Sequence, residues 1–366
     1  MPPKVPPARV VRAVEAVRAG VQGVDRRLVP GPIALLELVM GSMVTQAVYV
    51  AARLGIADAV VDGPLTVAEI ARRVDADPDA TGRLLRLLGG YSVFAERPGG
   101  RYGQTSMSAA LRADAPMSMR GMALLMGGSV HWEDWGHLED AVRTGEPVVP
   151  KLRGMGVYDY LDANPEFAEV FNAGMGNLSN LETDAVAAAY DFTRFGTIVD
   201  VFGGRGALLA ALLRRAPKAR GILVDERAPD LAATGLFREA GVEDRCEIDT
   251  TGLFEVPPSG GDAYVLKHIL HEWPEPKALE ILRNIRGVIG PDGRLLIMEF
   301  VVPEGGGRHP AKLVDLWLML LIGGRERTSV EYAGLLAAAG FTLTRVVGTA
   351  STVSIIEARP SGNGAP

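Results

Sequence analysis

The chain has 366 residues, 48% of them hydrophobic and 22% charged, which is enough apolar material for two ordinary domains with a large core. Its formal net charge of −6 offers no general attraction to nucleic acid or to an anionic membrane, so neither is expected as a partner. The single cysteine, Cys246, excludes an internal disulfide, and the N-terminus "MPPKVPPARV" lacks the apolar core of a signal peptide; both suit a cytoplasmic protein.

Residues 1–30, rich in Pro, Val and Arg, read as a flexible N-terminal arm. Residues 31–190 follow a helical pattern, with apolar positions three and four apart. No uncharged apolar run is expected to reach bilayer-spanning length, the richest being "LWLMLLIGG" from Leu316. Within this half, "LTVAEIARRVDADPDATGRLLRLLGGYSVF" predicts a helix-turn-helix capped by Thr66 and Asp77, followed by a wing in "FAERPGGRYGQT". Its second helix offers only Arg83 and Arg86 against Asp79, which favours a structural or dimerising winged helix over a DNA reader.

Residues 191–360 alternate short β-rich runs with amphipathic helices. The strands are "TIVDV", "GILVD", "RCEID", "AYVLK", "RLLIMEF", "TLTRVVG" and "TVSIIEA"; the helices between them include Ala207 to Arg215, Pro276 to Arg286 and Val330 to Ala339. That alternation predicts an α/β, Rossmann-like domain with a seven-stranded, mostly parallel sheet, closed at one edge by an antiparallel hairpin. Residues 361–366 read as a disordered tail.

In "IVDVFGGRGALLAALL" a strand runs into a glycine turn that opens a helix, the context in which backbone approaches a nucleotide-type ligand at a helix N-terminus. Asp225, ending the next strand, is placed to accept from ribose hydroxyls. A nicotinamide fingerprint fails, because taking Gly204 and Gly206 as its first two glycines puts Leu209 where the third belongs. Phe202 stands where a first glycine is expected, and its side chain should keep the backbone away from positive φ.

The segments "DAYVLKHILHEW", "GRLLIMEF" and "LVDLWLMLLIGGRERT", in this order, resemble the class I S-adenosylmethionine (SAM)-dependent small-molecule O-methyltransferases, the caffeate-type and bacterial polyketide-tailoring enzymes, from about Ile33 to Glu357. The resemblance implies a winged-helix N-terminal domain that forms a homodimer, and SAM held by the C-terminal domain. By position it assigns Asp200, Phe202, Gly203, Gly204, Gly206, Asp225, Gly252, Leu253 and Lys267 to the cofactor. Two departures stand out: Phe202 replaces the first glycine of D-x-G-x-G-x-G, and Gly252 replaces an acid that in relatives binds the adenine amino group.

The same resemblance makes His271, in "HEW", the general base, with Glu299 and Glu326 orienting or supporting it. A carboxylate on the far ring nitrogen fixes the tautomer and stabilises the imidazolium that forms. His268 is expected to face structure or the cofactor side. Segments that line substrate in relatives hold Met122, Met126, His131, Trp132, Phe171, Met175, Asn177, Trp317 and Met319, an apolar set suited to a flat polycyclic acceptor; His137 reads as structural. The five histidines and one cysteine show no zinc-like spacing, so no metal is expected. Two functions follow. One is methyl transfer from SAM to a hydroxyl of an aromatic or polyketide-type natural product. The other is a SAM-independent cyclisation, elimination or rearrangement run by His271, which Phe202 and Gly252 suggest. A non-enzymatic winged-helix regulator fits "HILHEW" and "GGRERT" least.

Overall fold

The computed structural model describes residues 6–229 and 232–362; the predicted tail lies outside them from residue 363 onward. The described residues form two compact units, one made of Gly20–Asp140 with Val148–Leu181, the other of Ala141–Pro147, Glu182 onward and the chain up to Ala19. The long helix Pro165–Ala189 contributes to both.

Two expectations for the N-terminal region need correction. Residues Ala8–Leu28 form a 21-residue helix rather than a loose arm; Val10, Val14, Val17, Val21, Val24 and Leu28 recur at four- and three-residue intervals, the periodicity that gathers side chains on one helical face. The next helix, Gly31–Leu54, starts with Pro at its N-terminal turn and is the one described helix long and apolar enough, by length and composition, to cross a membrane, with mean hydropathy 1.7. Glu37 interrupts the run as a string of letters, but one carboxylate in 24 residues does not change the character of the helix.

Downstream, the winged helix forms as its capping residues require. Thr66 and Glu69 close a capping box on helix Val67–Arg73, and the Asp77 carboxylate accepts from the Ala80 N–H at the start of helix Pro78–Gly90. Strands β1 (Leu65–Thr66), β2 (Phe94–Arg97) and β3 (Arg101–Gln104) form a small antiparallel sheet in the order β1-β3-β2. Ile56, Ile70, Leu85, Leu88 and Phe94 are fully buried beneath it.

The other unit is built on strands β4 (Thr197–Val201), β5 (Arg220–Val224), β6 (Cys246–Asp249), β7 (Ala263–Lys267), β8 (Arg294–Glu299), β9 (Phe341–Gly348) and β10 (Ser354–Pro360). Their order is β6-β5-β4-β7-β8-β10-β9, parallel except where β10 pairs antiparallel with β8 and β9. Successive residues of the central strands go alternately to two cores: Ile198, Ala263, Val265, Leu296, Met298 and Ile355 to one, Val199, Tyr264, Leu266, Leu295, Ile297 and Ile356 to the other. A sheet buried on both faces needs strands apolar on both faces, which is why β7 and β8 read as near-continuous hydrophobic runs. The chain direction across the sheet reverses between β4 and β7. At such a switch point the loops after the strands leave a crevice beyond their carboxyl ends. Phe202, Asp225, His268 and Glu299 all lie at those ends.

Candidate active site

The glycine loop leaves β4 at Phe202. Contrary to expectation, this phenylalanine takes the left-handed conformation at φ 60°, the backbone a glycine would have supplied. Its N–H donates to the Val224 carbonyl at 2.6 Å, and its half-buried ring packs on the core that includes Val199, Val201 and Val224. Tertiary packing and a β5 hydrogen bond therefore hold a strained residue in place. Gly206, at φ 75°, opens helix Ala207–Arg215; a Cβ there would stand 2.5 Å from the Phe237 ring, so the close turn requires glycine. At Gly204 a Cβ would meet nothing within 4 Å, so this part of the loop borders open space.

Asp225 supports the loop directly. Its Oδ2 accepts from the Gly204 N–H and its Oδ1 from the Arg227 N–H, each at 2.8 Å, which aims the carboxylate and leaves lone pairs on both oxygens. Asp200 is buried, and its Oδ2 has no hydrogen-bond partner among the described residues. Burial pushes its carboxyl up to about 7, against the opposing charge of Lys267. Gly252 carries no acid, but a Cβ on it would lie 3.6 Å from Glu226 Oε2, and its N–H donates to Glu255 Oε2 at 3.2 Å. Negative charge is therefore present beside position 252, supplied by neighbours. Leu253 is buried in the core, and the Lys267 ammonium pairs at 3.0 Å with Glu182, which sequence reasoning overlooked.

The segment after β7 carries the histidines. His268 sits at φ 57°, with Nε2 2.7 Å from Glu182 Oε2 and its ring stacked on His271 at 5.1 Å and 25°. His271 lies in the short turn Leu270–Glu272 and is buried. Its Nδ1 is 2.6 Å from Glu326 Oε1. Glu299 does something other than orient the ring. Its Oε1 accepts from the backbone N–H groups of Ile269, Leu270 and His271 at 3.0, 2.6 and 3.3 Å, so it anchors the turn that carries His271. The Tyr332 hydroxyl donates to the other oxygen of Glu299. Burial, with the charges of Glu299 and Glu326, raises the Tyr332 phenol well above its ordinary range, so it stays a donor.

Each residue of "GRERT" has a place in this assembly. A Cβ at Gly324 would fall 2.3 Å from the His271 carbonyl oxygen, so only glycine lets the segment approach. The Arg325 N–H then donates to that same carbonyl at 2.8 Å, Glu326 reaches the ring, and Arg327 Nη1 donates to the Leu270 carbonyl at 3.1 Å. Thr328 closes a capping box with Glu331 on helix Ser329–Ala338. The Glu326 N–H donates to Asp315 Oδ1 at 2.8 Å, from helix Pro310–Ile322. Tyr332, Asp315 and Arg327 carried no separate signal in the sequence, because their partners lie 33, 11 and 57 residues away.

Burial alone would lower the His271 imidazole, but the Glu326 hydrogen bond and the charge of Glu299 outweigh it and raise the ring to about 9. Burial pushes the Glu326 carboxyl up to about 7 despite its bond to the ring. For so tight a pair the physical content is one proton held between Nδ1 and Oε1, and an imidazolium favoured over its state in water.

The residues expected to line substrate fall into two sets. Met122, Met126, His131, Trp132, Phe171, Met175 and Asn177 belong to the helical unit, whereas Trp317 and Met319 are half-buried on helix Pro310–Ile322 of the sheet-containing unit. Asn177 Oδ1 accepts from the Met122 N–H at 3.1 Å, and the Trp132 indole donates to the Met126 carbonyl at 3.1 Å. Burial pushes His131 down to about 4, and its neutral ring accepts at Nε2 from the Trp135 indole at 2.7 Å. His137 pairs with Asp140 at 3.2 Å. Among the described residues no group of three or more His, Cys, Asp or Glu side chains is arranged to hold a metal ion.

Comparison with known proteins gives this geometry a family. The profile of the O-methyltransferase domain matches residues 135–342, and that of the O-methyltransferase dimerisation domain matches residues 36–114. The chain is 42% identical over 332 residues to a phenazine O-methyltransferase, PhzM, of Lysobacter antibioticus, covering 91% of this chain and 97% of that protein. The crystal structure of CalO1, a methyltransferase of calicheamicin biosynthesis in its SAH-bound form, superposes with a TM-score of 0.82 at 37% identity, covering 90% of this chain and 98% of that one. The aclacinomycin 10-hydroxylase RdmB of Streptomyces purpurascens is 34% identical over 310 residues, 83% of each chain. The chain belongs to the O-methyltransferase enzyme family and carries that family's dimerisation domain.

Proposed function

We propose that the protein transfers a methyl group from SAM to a hydroxyl of an aromatic or polyketide-type natural product, with His271 as general base, and that it works as a homodimer. The observation that carries this reading is the buried His271–Glu326 pair at 2.6 Å, set by Glu299 and Gly324 at the carboxyl ends of the strands.

The residues of the glycine loop fit SAM. Phe202 reproduces the glycine's left-handed backbone and turns its ring into the core, so the path of the loop is kept. Asp225 is aimed with acceptor capacity to spare for the ribose hydroxyls. The unpartnered, buried Oδ2 of Asp200 suits an amino group, and Glu226 supplies the carboxylate that Gly252 lacks for the adenine amine. When bound, SAM supplies a methyl group on a positively charged sulfur that becomes a neutral sulfide on transfer. The protein's own part is alignment and proton removal. Glu326 occupies Nδ1 and leaves Nε2 to accept the hydroxyl proton; the imidazolium that results is stabilised by the Glu326 and Glu299 charges.

The SAM-independent alternative rests on Phe202 and Gly252, and the geometry of both positions favours methyl transfer. Because one relative is a hydroxylase, the test is binding as well as turnover. Calorimetry should show micromolar SAM binding to the wild-type chain and to His271→Ala alike, with methylation of a phenolic acceptor lost in the variant by about 10²-fold or more. A folded chain with no SAM affinity would overturn the proposal.

A further inference from the structure

His268 is an unfavourable residue for a place that an apolar side chain could fill. Its backbone stands at φ 57°, in the left-handed region that strains any residue with a Cβ. Its Nδ1 is buried with no hydrogen-bond partner among the described residues. The other nitrogen, Nε2, lies 2.7 Å from Glu182 Oε2, a carboxylate only 4% exposed on helix Pro165–Ala189. A phenylalanine or leucine could occupy the slot beside Phe300, 5.7 Å away, with no unmet nitrogen and no buried anion to hold it. Strain and an unmet acceptor gathered on one side chain point to chemistry rather than packing.

What the ring touches is His271. The two centroids are 5.1 Å apart and the planes 25° from parallel, an offset stack. Glu182 is ionised, its carboxyl held down to about 2, so Nε2 of His268 carries the proton and Nδ1 is a bare lone pair. The Lys267 ammonium, 3.0 Å from the same Glu182 oxygen, balances that anion. Burial, with the charges of His271 and Lys267, outweighs Glu182 and lowers the His268 imidazole, so this ring is neutral where His271 is protonated. A neutral ring face against a cation is an attractive pairing, whereas two imidazolium rings would repel. The remaining charged groups around His271 are the acids Glu272, Glu299 and Glu326, which also favour a cation there.

We propose that His268, held by Glu182, is a positioning residue that clamps the face of His271 and favours the imidazolium formed when that ring takes the acceptor's proton. The role rests on the assignment of His271 as base. Each support then acts on a different part of the base: Glu299 on its backbone, Glu326 on Nδ1 and His268 on the ring face. A single hydrogen bond lets a ring rock about the Nδ1···Oε1 line; a flat neighbour stops that motion and keeps Nε2 aimed at the acceptor oxygen.

The test uses the full chain with SAM and a phenolic acceptor. His268→Phe keeps a flat ring in the stack and removes both nitrogens. Its SAM affinity by calorimetry and its KM for the acceptor should stay within about two-fold of the wild type, while kcat falls at least about ten-fold. The acidic limb of kcat/KM should move to lower pH, because the imidazolium has lost support. A wild-type kcat with an unmoved limb would show that the ring only fills space and would overturn the proposal. In nitrogen NMR of the histidine-labelled wild-type chain, His268 should be the neutral Nε2–H tautomer from about pH 6 to 9. A cationic or Nδ1–H His268 would overturn the proposal too, and this readout needs no variant to fold. His271→Ala separates the two assignments. Turnover lost there but normal in His268→Phe sinks only the stacking role, whereas turnover retained in His271→Ala sinks the base itself.

Discussion

Glu326 and His271 share one hydrogen bond of 2.6 Å in a buried setting, with Nδ1 committed to the carboxylate. The bond and the carboxylate's charge raise the imidazole to about 9, so the fraction of His271 free to accept a proton grows as pH rises towards that value. Glu326→Gln removes the charge and lowers the ring's pKa. The acidic limb of kcat/KM against pH should therefore move to lower pH while kcat falls by about 10²- to 10⁴-fold. A reduced rate with the limb unmoved would show that Glu326 acts only as packing.

Gly324→Ala places a methyl group 2.3 Å from a backbone oxygen, where neither side can yield cheaply. The expected cost is about 1–3 kcal/mol of stability. Because the displaced group is the carbonyl of His271, the proposed base, kcat should fall at temperatures well below the melting transition. Thermal unfolding together with steady-state kinetics measures both, and an unaltered kcat in a folded variant would contradict the clamp.

Phe202 offers a test of backbone strain against packing. Phe202→Ala loses the ring's contact with the core and keeps a non-glycine residue at φ 60°, whereas Phe202→Gly loses the ring and relieves the strain. The glycine variant should be the more stable of the two by about 1 kcal/mol. Denaturant unfolding of both proteins decides it; an alanine variant as stable as the glycine variant would argue against a left-handed residue here.

Glu226 is predicted to stand in for the missing acid at position 252. Glu226→Gln keeps the shape and removes the charge, and should weaken SAM binding by about 1–3 kcal/mol, roughly 5- to 150-fold. Calorimetry reads this directly, and Glu255→Gln is the comparison. An effect confined to Glu255 would reassign the contact.

Glu182 is deeply buried, and the His268 and Lys267 partners overcome the burial that opposes its charge, holding its carboxyl down to about 2. Since the folded value lies below the ordinary one near 4.5, the stabilisation is complete above that pH and is lost as pH falls towards 2. Glu182→Gln should therefore lower the melting temperature at neutral pH and flatten its decline between about pH 4.5 and 2. A decline as steep as that of the wild type would place the acid sensitivity elsewhere.

By itself the amino-acid sequence determined what depends on neighbours along the chain. The seven strands, the helix Ala207–Arg215 and the caps at Thr66 and Asp77 were all legible, because hydrophobic period and turn chemistry act over a few residues. The heptad valines were in plain view as well, but the Pro- and Arg-rich setting read as an arm, since composition obscured period. Tertiary structure alone decided the rest. Glu299 serves the backbone of the turn and Glu326 the ring, a division of labour between two carboxylates that appear equivalent as letters. Phe202 occupies a glycine's conformation because a strand partner and a core, both remote in sequence, outweigh its local preference. Glu226 reaches position 252 because β5 and β6 lie side by side. Such contacts form only when segments far apart in the chain are brought within a few ångströms, and no periodicity of the sequence encodes which pairs will meet.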